Sequence, residues 1–218
     1  MKKESKRNFS ITLAWFIGFV IWTFAIKNLD VQSIGPKNSV VGFATMNGAF
    51  HELTGVHMQI YTITDWLGVV PFAIVLGFAV FGLLQLMKRR SLYKVDSDIM
   101  ILGGFYIAVF AAYGMFEIFP INFRPVLIEG VLEASYPSST TLLVLSVMPT
   151  AIMQANDRIK NSKIRKMLVV VISLFMAFMV IGRLVSGVHW ITDIIGGILL
   201  SVALVMLYHS FVVMVKRK

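Results

Sequence analysis

The chain has 218 residues, of which 57% are hydrophobic and 14% are charged, whereas soluble domains carry about a quarter charged residues. This composition excludes an ordinary soluble domain, and the absence of cysteine excludes a disulfide framework and a thiolate metal site. In a soluble protein the formal net charge of +9 would indicate a nucleic-acid partner, but here the basic residues flank apolar segments, so we expect no nucleic-acid partner.

Six apolar segments follow one another along the chain, and each approaches the roughly 20 residues that a membrane-spanning helix needs. The first is of full span length and no small-residue cleavage site follows it, so we interpret it as an uncleaved span rather than a signal peptide. The fourth is the shortest and can span only if its first turn belongs to a buried site. We therefore predict an all-α fold, with residues 1–218 forming a single domain, a six-span transmembrane helix bundle. The predicted spans are Ile11–Ile26, Trp66–Met87, Ile99–Phe119, Ser139–Ala155, Met167–Val185 and Ile191–Val215.

The connection between the first two spans, about Lys27–Asp65, is long and mixed in composition. Its apolar residues and glycines favour a helix or a re-entrant piece at the membrane interface, which could act as a lid. A plain surface loop is the alternative, and the sequence does not decide between them.

The basic residues alternate along the chain. If there are six spans, sixteen of the 20 Lys and Arg residues fall on one side, and Lys27, Lys37, Arg124 and Arg183 fall on the other. The rule that basic loops stay in the cytoplasm then places both termini inside. We detect no pair of inverted halves, which weakens a transporter interpretation.

The two arginines on the outer side both adjoin spans. A guanidinium presents a planar fork that suits phosphate oxygens, so Arg124 and Arg183 are candidates for binding phosphate. The run Pro137-Ser138-Ser139-Thr140 begins the fourth span, where free backbone N–H groups can hold an anion. Taken singly, the hydroxyl run could be a helix cap and an Arg-Pro pair a lipid-headgroup anchor.

His189 and Asp193 are four residues apart at the start of the last span, so they share one helix face. A carboxylate at that spacing can accept a hydrogen bond from one ring nitrogen and leave the other free to attack. The pair could also simply cap and solvate a helix end. Its position on the same side as two arginines and a helix N-terminus favours a phosphate site with a nucleophile.

These motifs resemble those of the type 2 phosphatidic acid phosphatase family, the integral-membrane lipid phosphatases. The family pattern is Lys-x6-Arg-Pro, then Pro-Ser-Gly-His, then Ser-Arg-x5-His-x3-Asp. The third block has its full spacing here, and the first two are matched in part. The matching residues are Arg124-Pro125, Pro137-Ser138, Arg183, His189 and Asp193.

The resemblance implies a multi-pass protein of the cell membrane whose active site faces outside and whose partner is a membrane lipid with a phosphate headgroup. It implies a phosphohistidine intermediate on catalytic His189, oriented by Asp193. The phosphoryl oxygens would be held at the arginines and the start of the fourth span, and no metal or other cofactor is implied. The expected phosphate-binding residues are Arg124, Ser138, Ser139, Thr140 and Arg183.

The chain departs from the family pattern at four positions. The family lysine is replaced by Glu117, the glycine by Ser139, and the leading serine of the third block by Gly182. The most consequential change is Thr140, because the family histidine at this position protonates the leaving group and threonine cannot do so near neutral pH.

The missing acid favours a diphosphate substrate. A phosphate monoester must expel an alkoxide, and general acid catalysis of such a step is worth roughly 10²–10⁴ in rate. A diphosphate expels a phosphate monoester, whose last pKa is about 6. We therefore expect a polyprenyl diphosphate phosphatase, such as one acting on undecaprenyl diphosphate.

Two alternatives stay open beside this hypothesis. A carboxyl group with a pKa raised by burial could replace the histidine as acid in a phosphatidic acid or phosphatidylglycerophosphate phosphatase; the accessory candidates are Glu117, Glu129 and Glu133. The protein could also bind lipid phosphates without hydrolysing them. For Glu117 we favour a structural ion pair with Arg124 or Arg183, and we expect Glu129 and Glu133 to be solvated loop residues or partners of the arginines. The sequence leaves open whether the bundle forms a homodimer.

Overall fold

The regular structure is helical throughout the part of the chain that the computed structural model describes, residues 3–216. Eight α-helices are joined by loops that contain two short 3-10 turns, Pro36–Asn38 and Leu92–Lys94. The α-helices are α1 (Lys3–Asn28), α2 (Ala44–Thr54), α3 (Met58–Leu67), α4 (Val69–Arg89), α5 (Ser97–Ile118), α6 (Ser139–Arg158), α7 (Ser162–Val185) and α8 (Ile191–Lys216).

Five helical segments are long and apolar enough to cross a membrane, and they make the chain a multi-pass membrane protein. They are α1, the continuous stretch Met58–Arg89 that contains α3 and α4, and then α5, α7 and α8. Each of the six predicted spans lies largely within one long helix. The helix of the fourth predicted span, α6, does not reach the apolar composition of the other five, so the span count of six stays a prediction.

Helix α6 is polar because it lies in the middle of the bundle rather than against lipid. It packs against α4, α5, α7 and α8, and eleven of its side chains are buried. Its hydroxyls and amides bond to neighbouring helices. The Tyr106 hydroxyl lies 3.1 Å from Thr150 Oγ1, and Gln154 Nε2 donates to the Tyr208 hydroxyl at 2.8 Å. Protein neighbours thus satisfy these two polar groups of α6, which lipid could not.

Helix α1 packs along the whole of α8. Near one end, Thr12 Oγ1 lies 3.3 Å from Ser210 Oγ, and near the other, Trp22 Nε1 donates to the carbonyl oxygen of Thr192 at 3.2 Å. The two helices therefore run in opposite directions, and the start of α8 is held in place by α1.

A polar network at one end of the bundle joins the end of α4, the start of α5 and the end of α6. Arg158 donates to Asp96 at 3.0 Å, to Asp98 at 2.7 Å and to Gln154 at 2.7 Å, and Arg89 donates to Asp96 at 2.6 Å. Lys216, at the end of α8, pairs with Asp157 at the same end. The basic clusters that follow α4 and α6 and that end α8 thus share one end, as expected. The orientation of this end in the membrane stays a prediction.

The segment between α1 and α4 contains two helices, α2 and α3, which confirms the helical interpretation over the plain loop. Asn47 of α2 donates to Thr192 Oγ1 at 3.0 Å, and α3 packs against α7. The backbone N–H of His57 donates to the carbonyl of Ser186 at 2.9 Å, which ties the connection between α2 and α3 to the loop before α8. This segment therefore packs against the end of the bundle that carries the predicted site.

Candidate active site

The loop between α5 and α6 positions Arg124. Its two arms are joined by backbone hydrogen bonds, including Arg124 N–H to the Glu133 carbonyl at 3.0 Å. They reverse direction at Glu129-Gly130, where both residues have positive φ, 50° and 79°. Two consecutive residues with positive φ suit the tight turn of a hairpin. The hairpin places the side chains of Arg124 and Glu133 opposite each other.

Arg124 is buried and pairs with Glu133. The residue is 9% exposed, and its Nε atom lies 3.0 Å from Glu133 Oε2. Within residues 3–216, neither Nε nor Nη1 has a hydrogen-bond partner of good geometry. The guanidinium also lies 5.8 Å from the centre of the Tyr61 ring. Arg124 thus keeps N–H groups available for an anion.

Arg183, in the last turn of α7, is 2% exposed. Its Nη2 atom donates to Asp65 Oδ1 at 2.7 Å and to Thr140 Oγ1 at 2.6 Å, and its guanidinium lies 4.9 Å from the centre of the Tyr61 ring. Its Nε and Nη1 atoms find no hydrogen-bond partner among the described residues. Buried N–H groups usually have a hydrogen-bond partner, so these atoms are available to bind an anion.

The start of α6 divides its three hydroxyls between two roles. Ser138 is completely buried and caps the helix, accepting the N–H of Thr141 at 3.5 Å, while its own N–H donates to the Asp193 carbonyl at 3.0 Å. Ser139 and Thr140 line a cavity. The capping interpretation therefore describes Ser138, and a phosphate-binding role for all three hydroxyls stays a prediction.

His189 lies just before α8 and is 3% exposed. Its Nδ1 atom is 3.7 Å from Asp193 Oδ2, which is close but longer than a hydrogen bond. The same carboxylate oxygen accepts the backbone N–H of Trp190 at 2.9 Å, and Asn122 Nδ2 lies 3.5 Å from Asp193 Oδ1. Asp193 therefore holds the loop that carries the histidine, and neither ring nitrogen of His189 has a hydrogen-bond partner in residues 3–216.

Close packing fixes this loop. Gly187 has φ of +69°, and a Cβ atom there would lie 2.1 Å from the carbonyl oxygen of Gly55. Only glycine tolerates both conditions. On the other side, Trp190 Nε1 donates to the Phe123 carbonyl at 2.7 Å, which connects the histidine loop to the hairpin beside Arg124.

The surroundings of His189 keep its imidazole neutral. Burial is the main cause, and the positive charges of Arg124 and then Arg183 add to it; together they lower the pKa of His189 well below its ordinary value. A neutral imidazole has a free lone pair at neutral pH, as a nucleophile requires.

A cavity of about 600 Å³ lies beside the two arginines. Val69 and Phe72 of α4 and Tyr113 of α5 form part of its wall, and Val69 and Phe72 are also exposed on the outer surface of the bundle. His189 does not line the cavity. The polar lining residues are Tyr61, Asp65, Tyr113, Glu117, Arg124, Glu133, Ser139, Thr140 and Arg183.

The three carboxylates of the cavity differ from the sequence prediction. Glu117 forms no ion pair with either arginine among the described residues, so the pairing expected for it was wrong. Glu133 pairs with Arg124 instead, and Asp65 pairs with Arg183. Glu133 belongs to the hairpin that carries Arg124, whereas Glu117 lies on the separate helix α5. Glu129 is exposed in the turn, outside the cavity lining. No group of three or more His, Asp or Glu residues within 3–216 is arranged to hold a metal ion.

Two cavity residues, Asp65 and Tyr61, were missed by sequence reasoning. They lie four residues apart on one face of α3, and both contact Arg183. An acidic residue at the edge of an apolar run was the available signal, because ionisable groups at membrane helix ends are costly unless used.

The departure at Gly182 has a structural reason. A Cβ atom at this position would lie 2.7 Å from Cγ2 of Thr64 on α3. Because α3 packs so closely on α7 here, the serine of the family pattern would require Thr64 or α3 to shift. The glycine allows α3 to bring Asp65 to Arg183.

Comparisons with known proteins agree with this geometry. A family model of the PAP2 superfamily matches residues 119–217, the part of the chain that contains the hairpin, α6, α7 and α8. A search of curated proteins found no match.

A solved structure with a similar fold is described as the first transmembrane PAP2 type phosphatidylglycerolphosphate phosphatase from Bacillus subtilis. The similarity covers 92% of this chain and 94% of that one, with a TM-score of 0.54 and 19% sequence identity. The similarity of fold therefore extends over most of the bundle. Residues 119–217 are similar to the PAP2 superfamily, and the bundle has the fold of this solved structure.

Proposed function

We propose that this protein is a membrane lipid phosphatase that transfers the terminal phosphoryl group of its substrate to His189 and then to water. The observation that carries the proposal is the set of unpaired N–H groups on buried Arg124 and Arg183 at one cavity, next to a buried histidine with two free ring nitrogens. In the proposed mechanism the guanidiniums bind phosphoryl oxygens, which also stabilises the charge that develops during transfer.

Within this mechanism, Nε2 of His189 attacks phosphorus, and Nδ1 faces Asp193 Oδ2 at 3.7 Å. The positive charge that forms on the imidazole is stabilised by this carboxylate, as in other histidine–aspartate pairs. His189 lies behind the cavity wall, so bound substrate and histidine must approach each other before the reaction. The carboxylate keeps its contact with Trp190 in the meantime and holds the loop.

The substrate that we favour is a lipid diphosphate of the polyprenyl class, such as undecaprenyl diphosphate. Thr140 supplies no proton to the leaving group, and a diphosphate needs none because it expels a phosphate monoester. The cavity wall formed by Val69 and Phe72 continues to the outer apolar surface of α4. This arrangement supports entry of the lipid tail from the bilayer between α4 and α5.

We place the active site on the outer side of the cell membrane, with six spans and both termini in the cytoplasm. The support is the charge distribution, since sixteen of the 20 Lys and Arg residues fall opposite the site. The mechanism assigns no role to a metal or other cofactor, and a homodimer is not required for it.

The proposal is tested by phosphate release from the purified protein in detergent, comparing a prenyl diphosphate with phosphatidic acid. We expect faster release from the diphosphate and loss of release in His189→Ala, with His209→Ala on α8 as the control histidine. Equal or faster release from phosphatidic acid would contradict the leaving-group argument. No release from either lipid by a folded protein that still binds both would favour the non-hydrolysing alternative.

A further inference from the structure

Arg183 brings an acidic residue next to the position of the missing histidine. Its Nη2 atom donates to Thr140 Oγ1 at 2.6 Å and to Asp65 Oδ1 at 2.7 Å. Thr140 is the residue that stands where the family pattern has its proton-transferring histidine. Asp65 and Thr140 therefore meet at a single nitrogen atom, although they belong to different helices, α3 and α6.

The two side chains differ in what they can do with a proton. A threonine hydroxyl is not a useful base near neutral pH, whereas a carboxylate accepts a proton readily. The Asp65 side chain is 56% exposed and lines the cavity, so water can reach it. Among the described residues, neither of the other two cavity carboxylates shares an arginine with Thr140 in this way; Glu133 pairs with Arg124 on the hairpin.

Several contacts hold Asp65 in this position. Tyr61, one helical turn before it, stacks its ring against both guanidiniums. At the start of α3, the N–H of His57 donates to Ser186 at 2.9 Å. The glycine at position 182 leaves the space that the packing of α3 requires. Asp65 is thus held on a supported helix rather than on a free loop.

We propose that Asp65 is the general base for the second half-reaction, in which water hydrolyses the phosphohistidine; this inference rests on the proposed function. The water oxygen forms a bond to phosphorus while the bond between phosphorus and Nε2 of His189 breaks. The electron pair of that bond returns to Nε2, and the proton of the water moves to the Asp65 carboxylate. Inorganic phosphate leaves, and Asp65 then releases its proton to solvent.

A general base and a purely structural ion pair predict different kinetics for a variant that lacks the Asp65 carboxylate. If only the second half-reaction needs Asp65, then Asp65→Asn should still form the phosphoenzyme but break it down slowly. A variant that merely misplaces Arg183 should form the phosphoenzyme slowly as well. A variant that lacks a leaving-group acid should also fail in the first step.

The experiment uses the full-length protein in detergent and farnesyl diphosphate labelled with ³²P in its terminal phosphate, followed by a base quench that preserves phosphohistidine. For Asp65→Asn we expect a first turnover close to that of the wild type and a steady-state rate lower by about 10²-fold. Protein-bound label should approach one phosphate per chain. The matched control is Glu133→Gln, the other paired carboxylate, in which label should not accumulate.

A second variant tests the same role by rescue. Adding Thr140→His to Asp65→Asn supplies an imidazole base and should remove the accumulated label and raise turnover. Normal turnover in Asp65→Asn, or slow turnover without accumulated label, would overturn the inference. In either case, phosphate release by the wild type would leave the proposed function standing. A wild type that neither releases phosphate nor becomes labelled would overturn both the proposed function and the role of Asp65.

Discussion

Nη2 of Arg183 donates a 2.6 Å hydrogen bond to Oγ1 of Thr140, so the residue at the family's proton-donor position accepts a hydrogen bond from an arginine here. Thr140→His should restore a general acid at the cavity. We expect the rate on phosphatidic acid to rise by about 10-fold or more relative to the rate on a prenyl diphosphate, because only the monoester needs the acid. Phosphate release from both lipids, measured in parallel, checks this ratio.

Ser139→His is the control for this experiment, since Ser139 also lines the cavity but stands at the position of the family glycine. It adds the same side chain one residue away. An unchanged substrate ratio in Thr140→His, or the same change in both variants, would contradict the leaving-group argument.

Asp193→Asn tests how the histidine is oriented. An asparagine oxygen can still accept the backbone N–H of Trp190, which Asp193 now accepts at 2.9 Å, so the loop should keep its shape. The negative charge that stabilises the imidazolium is lost, and we expect kcat to fall by about 10²–10⁴-fold with little change in lipid binding. Ser201→Ala, which removes a bond within α8 itself, is the control. A fall of less than about 10-fold in Asp193→Asn would argue against the phosphohistidine mechanism.

Much of the bundle could be predicted from the sequence, because long apolar runs leave a chain few alternatives in lipid. The helices containing the predicted spans deviate from them by a few residues at most ends, and by more at the start of α1. The sequence motifs also predicted that Arg124, Arg183 and His189 lie at the same end of the bundle. Helix α6 was also predicted, but its place in the middle of the bundle was not, because its polar composition reflects burial in protein, which local periodicity does not show.

The partner of Arg183 could not be predicted from the sequence, and Glu133 was only one of several candidate partners for Arg124. Asp65 lies 118 residues from Arg183 along the chain, and only the packing of α3 on α7 brings them together. Glu133 reaches Arg124 because a tight turn at Glu129-Gly130 reverses the loop. Neither ion pair leaves a periodic signal in the sequence. Glu117 became a candidate partner because it replaces a family lysine.

The pH dependence of stability should reveal the buried His189. Its pKa in the folded protein lies below that of free histidine, about 6.5, so the unfolded chain binds a proton where the folded one does not. This contribution to stability is fully present above about pH 6.5 and decreases as the pH falls below it. Thermal unfolding in detergent should therefore show a larger drop in Tm on acidification for the wild type than for His189→Gln. Equal drops would mean that the imidazole is not held neutral.

Glu117→Gln separates an electrostatic role from an acid role. The cavity has three carboxylates, Asp65, Glu117 and Glu133, against two arginines, and this charge opposes an anionic headgroup. We expect the variant to lower KM for a prenyl diphosphate several-fold at low salt, with a smaller effect at high salt, because screening weakens the repulsion. The value of kcat should stay within about twofold, and the exposed Glu129→Gln should change neither parameter. A loss of about 10²-fold in kcat would instead identify Glu117 as the substitute acid.

Arg158→Met tests the network at the opposite end of the bundle. Arg158 donates to Asp96 and to Asp98, whose side chain is only 12% exposed, so its removal leaves a nearly buried carboxylate without its cation. Breaking a fully buried ion pair destabilises a protein strongly, but the effect is smaller here because the arginine side chain is 30% exposed. We expect the free energy of unfolding to fall by about 1–3 kcal/mol. Asp96 should remain ionised, since the hydrogen bond from Arg89 is the main cause that lowers its pKa to about 2. Chemical unfolding in mixed micelles measures the change, with Arg165→Met as the control because Arg165 makes only a 3.4 Å bond to a carbonyl. Equal losses in the two variants would show that the carboxylates do not need Arg158.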